Sequence, residues 1–544
     1  MLSSLPFRHF LQIMLAATAM QSAMPGAFAQ ADPANEVGMA NVGQMGQNAL
    51  HTPPPLASLK NPPATLSIDD SGYQRLMQHI PPLQYDRAGR WPILVWAKET
   101  NTPDELQAWI DRGVSPLFNY QIEEHIDAWK QMQAQNVPVI FLMQGHTQRL
   151  FRENPKQKTN VNHSKHVSPA EGDCPAYLLT HPGLHGEGDR MLHLCQTLRD
   201  AGVNVDAVFL DFESGVYLRN GKESASHVHN AMTQALNCSR CIDQFGKEKL
   251  ENIHAYRALC DTARSQAIRI TASDPLHEVF PNADIGNFFA WPINRYINDD
   301  GVLDPTAYDT RNGAYPAYGY VDSGMNIMQP RCYYVPGWQD WGLPEIATSQ
   351  RIEDWNVFLY TIRRTSLASR AMRPNEKLVL WVGWLWRVSR DHPTEGQLRI
   401  ASPAGYRETI IHALLRGAET IAIFDPASLT QDFPDDYNVD RRNMGPFLRN
   451  LVDVQAAYNQ VLRFQPFLTA SRPLNLCCDG VPNHPGTMWS GYGNEKACLI
   501  RTISFNQNIE RPITLYGHSI TLPFQTDGRW FWVFPDGTHQ QIEL

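Results

Sequence analysis

Eight runs of apolar, β-type residues recur between positions 91 and 426, with helix-like segments between several of them, and this rhythm restricts the fold more than any other feature. The runs cover 91–99, 114–120, 137–145, 205–214, 268–275, 326–335, 377–384 and 419–426. They are apolar throughout rather than alternating, as strands are when a parallel sheet is covered on both faces. Helices are predicted over 121–135, 188–201, 247–265, 353–372 and 406–416. Another opens at Thr102-Pro103-Asp104-Glu105, a capping residue followed by proline in the first turn, and closes at Arg112-Gly113. Eight such units predict an α/β fold, a (β/α)8 TIM barrel. The alternative is an open doubly wound sheet, but no glycine-rich phosphate loop follows any early strand.

A last helix is predicted over 443–462, after which the pattern changes to short alternating strands at 487–489, 497–504, 513–515 and 529–534. Turns at Asp527-Gly528 and Asp536-Gly537 separate them, which predicts a small C-terminal all-β domain. At the other end, Arg8 and His9 precede an apolar stretch over 10–20, and Ala27-Phe28-Ala29 has the form of a cleavage site. The chain is accordingly expected to divide into a signal peptide (1–29), a Pro-rich linker and N-terminal extension (30–85), a barrel (86–466) and a β-sandwich-like domain (467–544). The expected location is secreted or periplasmic. No other stretch approaches the length of a membrane-spanning helix. The net charge of −9 lacks the basic surplus of a nucleic-acid binder. Nine cysteines in an oxidising compartment predict disulfides, with Cys174–Cys195, Cys238 with Cys241 or Cys260, and Cys498 with Cys477 or Cys478 as local candidates.

The active site of a barrel lies at the C-terminal ends of its strands. Read there, the runs end in Glu99, Tyr120, His146, Asp211 with Glu213, Asp274, Tyr333 with Tyr334, Trp384 with Trp386, and Asp425. The fourth run carries the strongest signal: Val208-Phe209-Leu210 leads straight into Asp211-Phe212-Glu213. Residues two apart on a strand share a face, so both acids are expected at the barrel mouth. Two carboxylates so close raise one pKa, which suits a general acid. Glycosidic cleavage usually places two carboxylates on opposite sides of the scissile bond, and two on one strand lie on the same side. A substrate N-acetyl group could serve as nucleophile, with Asp211 orienting it and Glu213 as acid. Asp274 or Asp425 could oppose the pair, or Asp211 could itself be the nucleophile.

The Phe209-Leu210-Asp211-Phe212-Glu213 ending resembles that of barrel glycosidases acting on N-acetylhexosamine polymers: chitinases, hyaluronidases and the Asp-x-Glu muramidases. The resemblance implies that Glu213 is the proton donor and that Asp211 positions an acetamido group. It also implies that Tyr333 or Tyr334 assists from strand six and that Trp384 or Trp386 floors a sugar subsite. The fuller chitinase motif of spaced aspartates is absent, since Ala207, Val208 and Phe209 follow Asp206.

Trp291, Trp384 and Trp386, with Tyr333 and Tyr334, cluster near strand ends, and aromatic faces pack on the C–H faces of sugars. His146, Asp211 and Glu213 have no HxH or HExxH spacing to support a metal, and no cofactor signature is present. The sequence therefore predicts a glycoside hydrolase with a carbohydrate substrate. Its catalytic candidates are Glu213, Asp211, Asp274 and Tyr334, and its binding candidates are Glu99, Tyr120, His146, Trp291, Tyr333, Trp384, Trp386 and Asp425. The alternative is a degenerate barrel that binds glycan without cutting it.

Overall fold

The computed structural model describes residues 80–96, 102–119, 125–144, 175–180, 183–211, 232–233, 235–288, 320, 322–330, 332, 349–383, 385–387, 398–423, 445–477 and 486–543. Eight parallel strands close into a barrel: β1 (Ile93–Trp96), β2 (Val114–Asn119), β3 (Ile140–Gln144), β4 (Ala207–Asp211), β5 (Asp284–Asn287), β6 (Ile327–Met328), β7 (Lys377–Val382) and β10 (Thr420–Ile423). A short antiparallel hairpin, β8 (Leu385–Arg387) with β9 (Leu398–Ile400), separates the last two. The closed ring excludes the open doubly wound sheet. Helices alternate with the strands as the sequence predicts: α1 (Pro103–Asp111), α2 (Ile126–Ala134), α3 (Pro175–Thr180), α4 (Gly183–Asp200), α5 (Ser239–Phe245), α6 (Lys247–Glu251) and α7 (Ile253–Ile268). They continue with α8 (Asp274–Val279), α9 (Ser349–Ala371), α10 (Pro403–Leu414), α11 (Gly445–Leu462) and α12 (Gln465–Thr469). The Thr102 hydroxyl accepts the Glu105 N–H at 3.2 Å, as its capping role requires, and Gly113 leaves α1 in the left-handed region at φ 70°.

One predicted strand is wrong. Residues 268–275 are helical: α7 runs through a π-helical turn, Arg269–Ser273, directly into α8. Ile268, Ala272 and Leu276 are all buried, four residues apart, which is a helical face rather than a strand's alternation. The fifth barrel strand is Asp284–Asn287, a four-residue segment with glycine inside it.

Followed from strand to strand, the register drifts by about eight residues in one circuit, the stagger of an eight-stranded barrel. That stagger stacks the inward residues in layers drawn from alternate strands. Leu94, Ile140, Gly286 and Val379 form one layer. Leu117, Phe209, Gln329 and Ala422 lie above it, and Leu142, Phe288 and Trp381 above those. All are buried, and the apolar members form one interior cluster. The outward residues, among them Val95, Phe118, Phe141, Leu210, Leu380 and Ile423, join the larger core beneath the helices.

Polar groups close the N-terminal end of the barrel. The Asp206 carboxylate accepts the Val139 N–H at 2.8 Å, and Asp284 pairs with Lys377 and accepts from the Asn326 amide. Residues 80–91 are tied to the same end, where Arg112 donates to the Ile80 carbonyl at 2.6 Å and Arg90 donates to the Ala418 carbonyl at 2.9 Å.

The C-terminal region is a separate all-antiparallel unit of strands. Its five-stranded sheet runs β11 (Arg472–Pro473), β12 (Thr487–Gly493), β13 (Cys498–Ser504), β16 (Arg529–Val533) and β17 (His539–Ile542). The hairpin β14 (Ile509–Leu515) with β15 (His518–Phe524) covers one face, where Ile500, Ile513, Leu522 and Phe531 share a core. Met488, Leu499, Ile503 and Trp530 on the other face join the barrel's outer core, so β13 is buried along its whole length. Trp530 and Phe531 are thus β core, with Trp530 tilted against Phe464 at 4.9 Å.

No disulfide joins any two of the described cysteines, so the expected Cys238, Cys241 and Cys260 pairing and the Cys477–Cys498 pairing are not formed. Cys238 and Cys241 stand three residues apart at the start of α5, and the Cys260 thiol donates to the Tyr256 carbonyl one turn back at 2.8 Å. Cys195 lies inside the core, where burial pushes its thiol up to about 12. Cys174 and Cys478 lie outside the described residues, as do the predicted signal peptide and the linker over 30–65. Among the described residues no helix is long and apolar enough to cross a membrane.

Candidate active site

The candidate site begins at β4. Val208 and Leu210 face the helices, whereas Ala207 and Phe209 fill the barrel interior. Asp211 is the next residue of the inward register and the last of the strand. Its register partner is Gln144, the last residue of β3, and Asn119 ends β2 beside them. The last residues of β2, β3 and β4 thus stand together at the C-terminal end of the barrel.

Beneath Asp211 the layer formed by Leu142, Phe288 and Trp381 makes the floor of the mouth. The Trp381 indole is held edge-on by Phe288, with ring centroids 4.9 Å apart at 90°, and by Phe209 at 6.2 Å. Its ring N–H donates to the Gln329 amide oxygen at 2.9 Å. Neither Trp381 nor Gln329 stands out in the sequence as a site residue. Trp381 reads as one more apolar member of its run, and Gln329 as a polar interruption before Pro330.

Asp274 does not belong to this group. It opens α8 on the outside of the barrel, its side chain is 59% exposed, and it pairs with Arg269 at 3.2 Å. The misread strand placed it at the mouth. Trp386 lies on β8 opposite Arg399, in the hairpin that follows β7. Glu99, Tyr120, His146, Glu213, Trp291, Tyr333, Tyr334, Trp384 and Asp425 lie outside the described residues. In the sequence each follows the last residue of a barrel strand by one to six positions, Glu213 standing two beyond Asp211.

A second carboxylate close to β4 is distinguished from the site by position. Asp206 precedes β4 at the opposite end of the barrel, and burial raises its carboxyl from the ordinary value, against the hydrogen bond from the Val139 N–H, with Asp284 adding to the effect and Lys377 opposing it. Its hydrogen bond to Val139 fixes the start of β3, which is structural work. Among the described residues no group of three or more His, Cys, Asp or Glu is placed to hold a metal ion.

No family model and no curated protein matches the sequence. Several solved structures overlap it. Isomaltulose synthase from Klebsiella sp. LX3 is 8% identical with a TM-score of 0.40, covering 81% of this chain and 98% of its own. A GH30 endoxylanase from Clostridium papyrosolvens C71 is 9% identical with a TM-score of 0.33, covering 82% and 96%. A GH42 beta-galactosidase from G. stearothermophilus is 12% identical with a TM-score of 0.37, covering 70% and 58%. The fold itself rests on the strand order and register described above.

Proposed function

We propose that the chain is a secreted or periplasmic glycoside hydrolase, with Glu213 as the acid/base and Asp211 as its partner at the barrel mouth. One observation carries this reading: β4 is apolar from Ala207 to Leu210 and ends in Asp211, with Glu213 two positions on in the sequence. An ordinary strand end solvates its acids. Here the D-x-E step begins at the last residue of a strand whose preceding inward residues are apolar, the residue pattern that suits a proton donor.

With Asp274 outside the barrel, the opposing carboxylate is narrowed to Asp425, Asp211 as nucleophile with the acid elsewhere is unaffected, and two routes use Glu213 as the acid. In the favoured one an N-acetyl group of the substrate attacks the anomeric carbon, Asp211 orients the acetamide, and Glu213 protonates the leaving oxygen. In the other, Asp425, beyond β10, opposes the pair. N-acetylhexosamine polymers are therefore the substrate class to try first.

The test is reducing-end release from a panel of N-acetylated polymers and plain glucans, using wild type and Glu213→Gln. A loss of about a hundredfold or more in the mutant on N-acetylated substrates supports general-acid work by Glu213. Activity on plain glucans moves the second carboxylate to Asp425. A fully active Glu213→Gln enzyme overturns the proposal, and saccharide binding without turnover in wild type replaces it with the glycan-binding barrel.

A further inference from the structure

The amide of Gln329 is out of keeping with its surroundings. Its layer-mates Leu117, Phe209 and Ala422 are apolar, and it is itself fully buried. An indole N–H can only donate, so the bond from Trp381 fixes which end of the amide is oxygen. The NH2 is thereby turned away from Trp381, into the space above Gly286. A Cβ on Gly286 would lie 2.5 Å from that nitrogen. The nitrogen has no hydrogen-bond partner among the described residues. A buried donor left unmade is costly, and methionine would fill the same volume without it. Among the described residues the one hydrogen bond of this side chain is the one its oxygen accepts from Trp381.

We propose that Gln329 is a positioning residue, anchoring the Trp381 indole as the floor of the barrel mouth beneath Asp211. Gly286 supplies the room in which the amide turns. Phe288 and Phe209 fix the tilt of the ring, and the hydrogen bond fixes its rotation within the plane. An indole held in this way keeps the top layer of the barrel interior fixed beneath the β4 strand end, where Asp211 stands. The inference deepens the glycosidase reading and rests on it for its functional consequence, but the anchoring itself can be judged without any substrate.

The experiment compares Gln329→Met and Gln329→Glu with wild type. Methionine keeps the volume and removes both the acceptor and the unmade donor, while glutamate is isosteric and keeps an acceptor. The first readout is the near-UV circular dichroism contributed by Trp381, defined as wild type minus Trp381→Phe. Gln329→Met is expected to lose that contribution with no fall in melting temperature, and Gln329→Glu to keep it. On N-acetylated polymers, kcat of Gln329→Met should fall about tenfold or more with a smaller change in KM, and Gln329→Glu should recover most of it. If Gln329→Met keeps the Trp381 signal, or melts earlier with kcat unchanged, Gln329 is ordinary barrel packing and the proposal is overturned. If wild type neither cuts nor binds any saccharide, the glycosidase reading fails, and the dichroism alone decides whether the anchor exists.

Discussion

At Gly286 a single methyl group decides how the barrel interior is filled. A Cβ there would meet the Gln329 nitrogen at 2.5 Å, the Ile327 carbonyl at 2.7 Å and the Ile327 Cβ at 2.8 Å. Two of these neighbours belong to β6 and one of them is backbone, so relief requires the strand itself to move. Gly286→Ala is therefore expected to cost about 1–3 kcal/mol, read as a lower urea midpoint at unchanged slope. A midpoint equal to wild type would mean that Gln329 swings out of the layer without penalty. Single residues also mark where the sequence is silent. Asp211 could be found because an acid ending a buried apolar strand is conspicuous. Gln329 could not, because one amide among apolar residues has no periodicity, and its role depends on Trp381, which is 52 residues away.

Among the elements, seven of the eight barrel strands lie within their apolar runs, and the eighth fails for a physical reason. Ile268-Arg269-Ile270-Thr271 is β-branched and alternating, so local propensity favours a strand. Tertiary packing overrides it, because the segment extends α7 and lays Ala272 and Leu276 against the core. The true strand, Asp284-Ile285-Gly286-Asn287, reads as a turn by composition and is a strand only because β4 and β6 pair with it. The π-helical turn lies close to α4, where a Cβ on Gly188 would meet the Ile270 carbonyl oxygen at 2.5 Å. Gly188→Ala gains helix propensity, which on its own would stabilise by roughly 1 kcal/mol. The clash with a backbone oxygen reverses the sign, and we expect a net loss of about 1–2 kcal/mol by urea denaturation. Net stabilisation in Gly188→Ala would mean that the helices separate freely there.

Across the whole molecule, the barrel and the C-terminal sheet are joined by charged groups buried between α10 and β12–β13. Arg416 is fully buried and donates to Ser490 Oγ at 2.8 Å, to the Cys477 carbonyl at 2.6 Å and to the Trp489 carbonyl at 3.1 Å. Glu408 and Arg501 form an ion pair in the same layer. His412 lies between them, with Nδ1 2.8 Å from Ser490 Oγ, Nε2 3.8 Å from Glu408, and Phe358 of α9 edge-on to its ring. Burial holds His412 well below its ordinary value of 6.5, and the positive charges of Arg416 and Arg501 lower it further. The folded state therefore refuses a proton that the unfolded chain accepts near pH 6.5. The stability contributed by neutral His412 is complete above that pH and is lost as the pH falls below it. Between pH 7.5 and 5.5 the unfolding free energy should fall with a slope approaching ~1.4 kcal/mol per pH unit from this one group. Asp206, whose carboxyl is raised, acts in the opposite sense, so the difference between wild type and a histidine variant, rather than the slope alone, assigns the share of His412. His412→Gln, which cannot titrate, is expected to flatten the slope over that window by the contribution of one proton. An unchanged slope in the variant would assign the acid sensitivity to another group and leave His412 as packing alone.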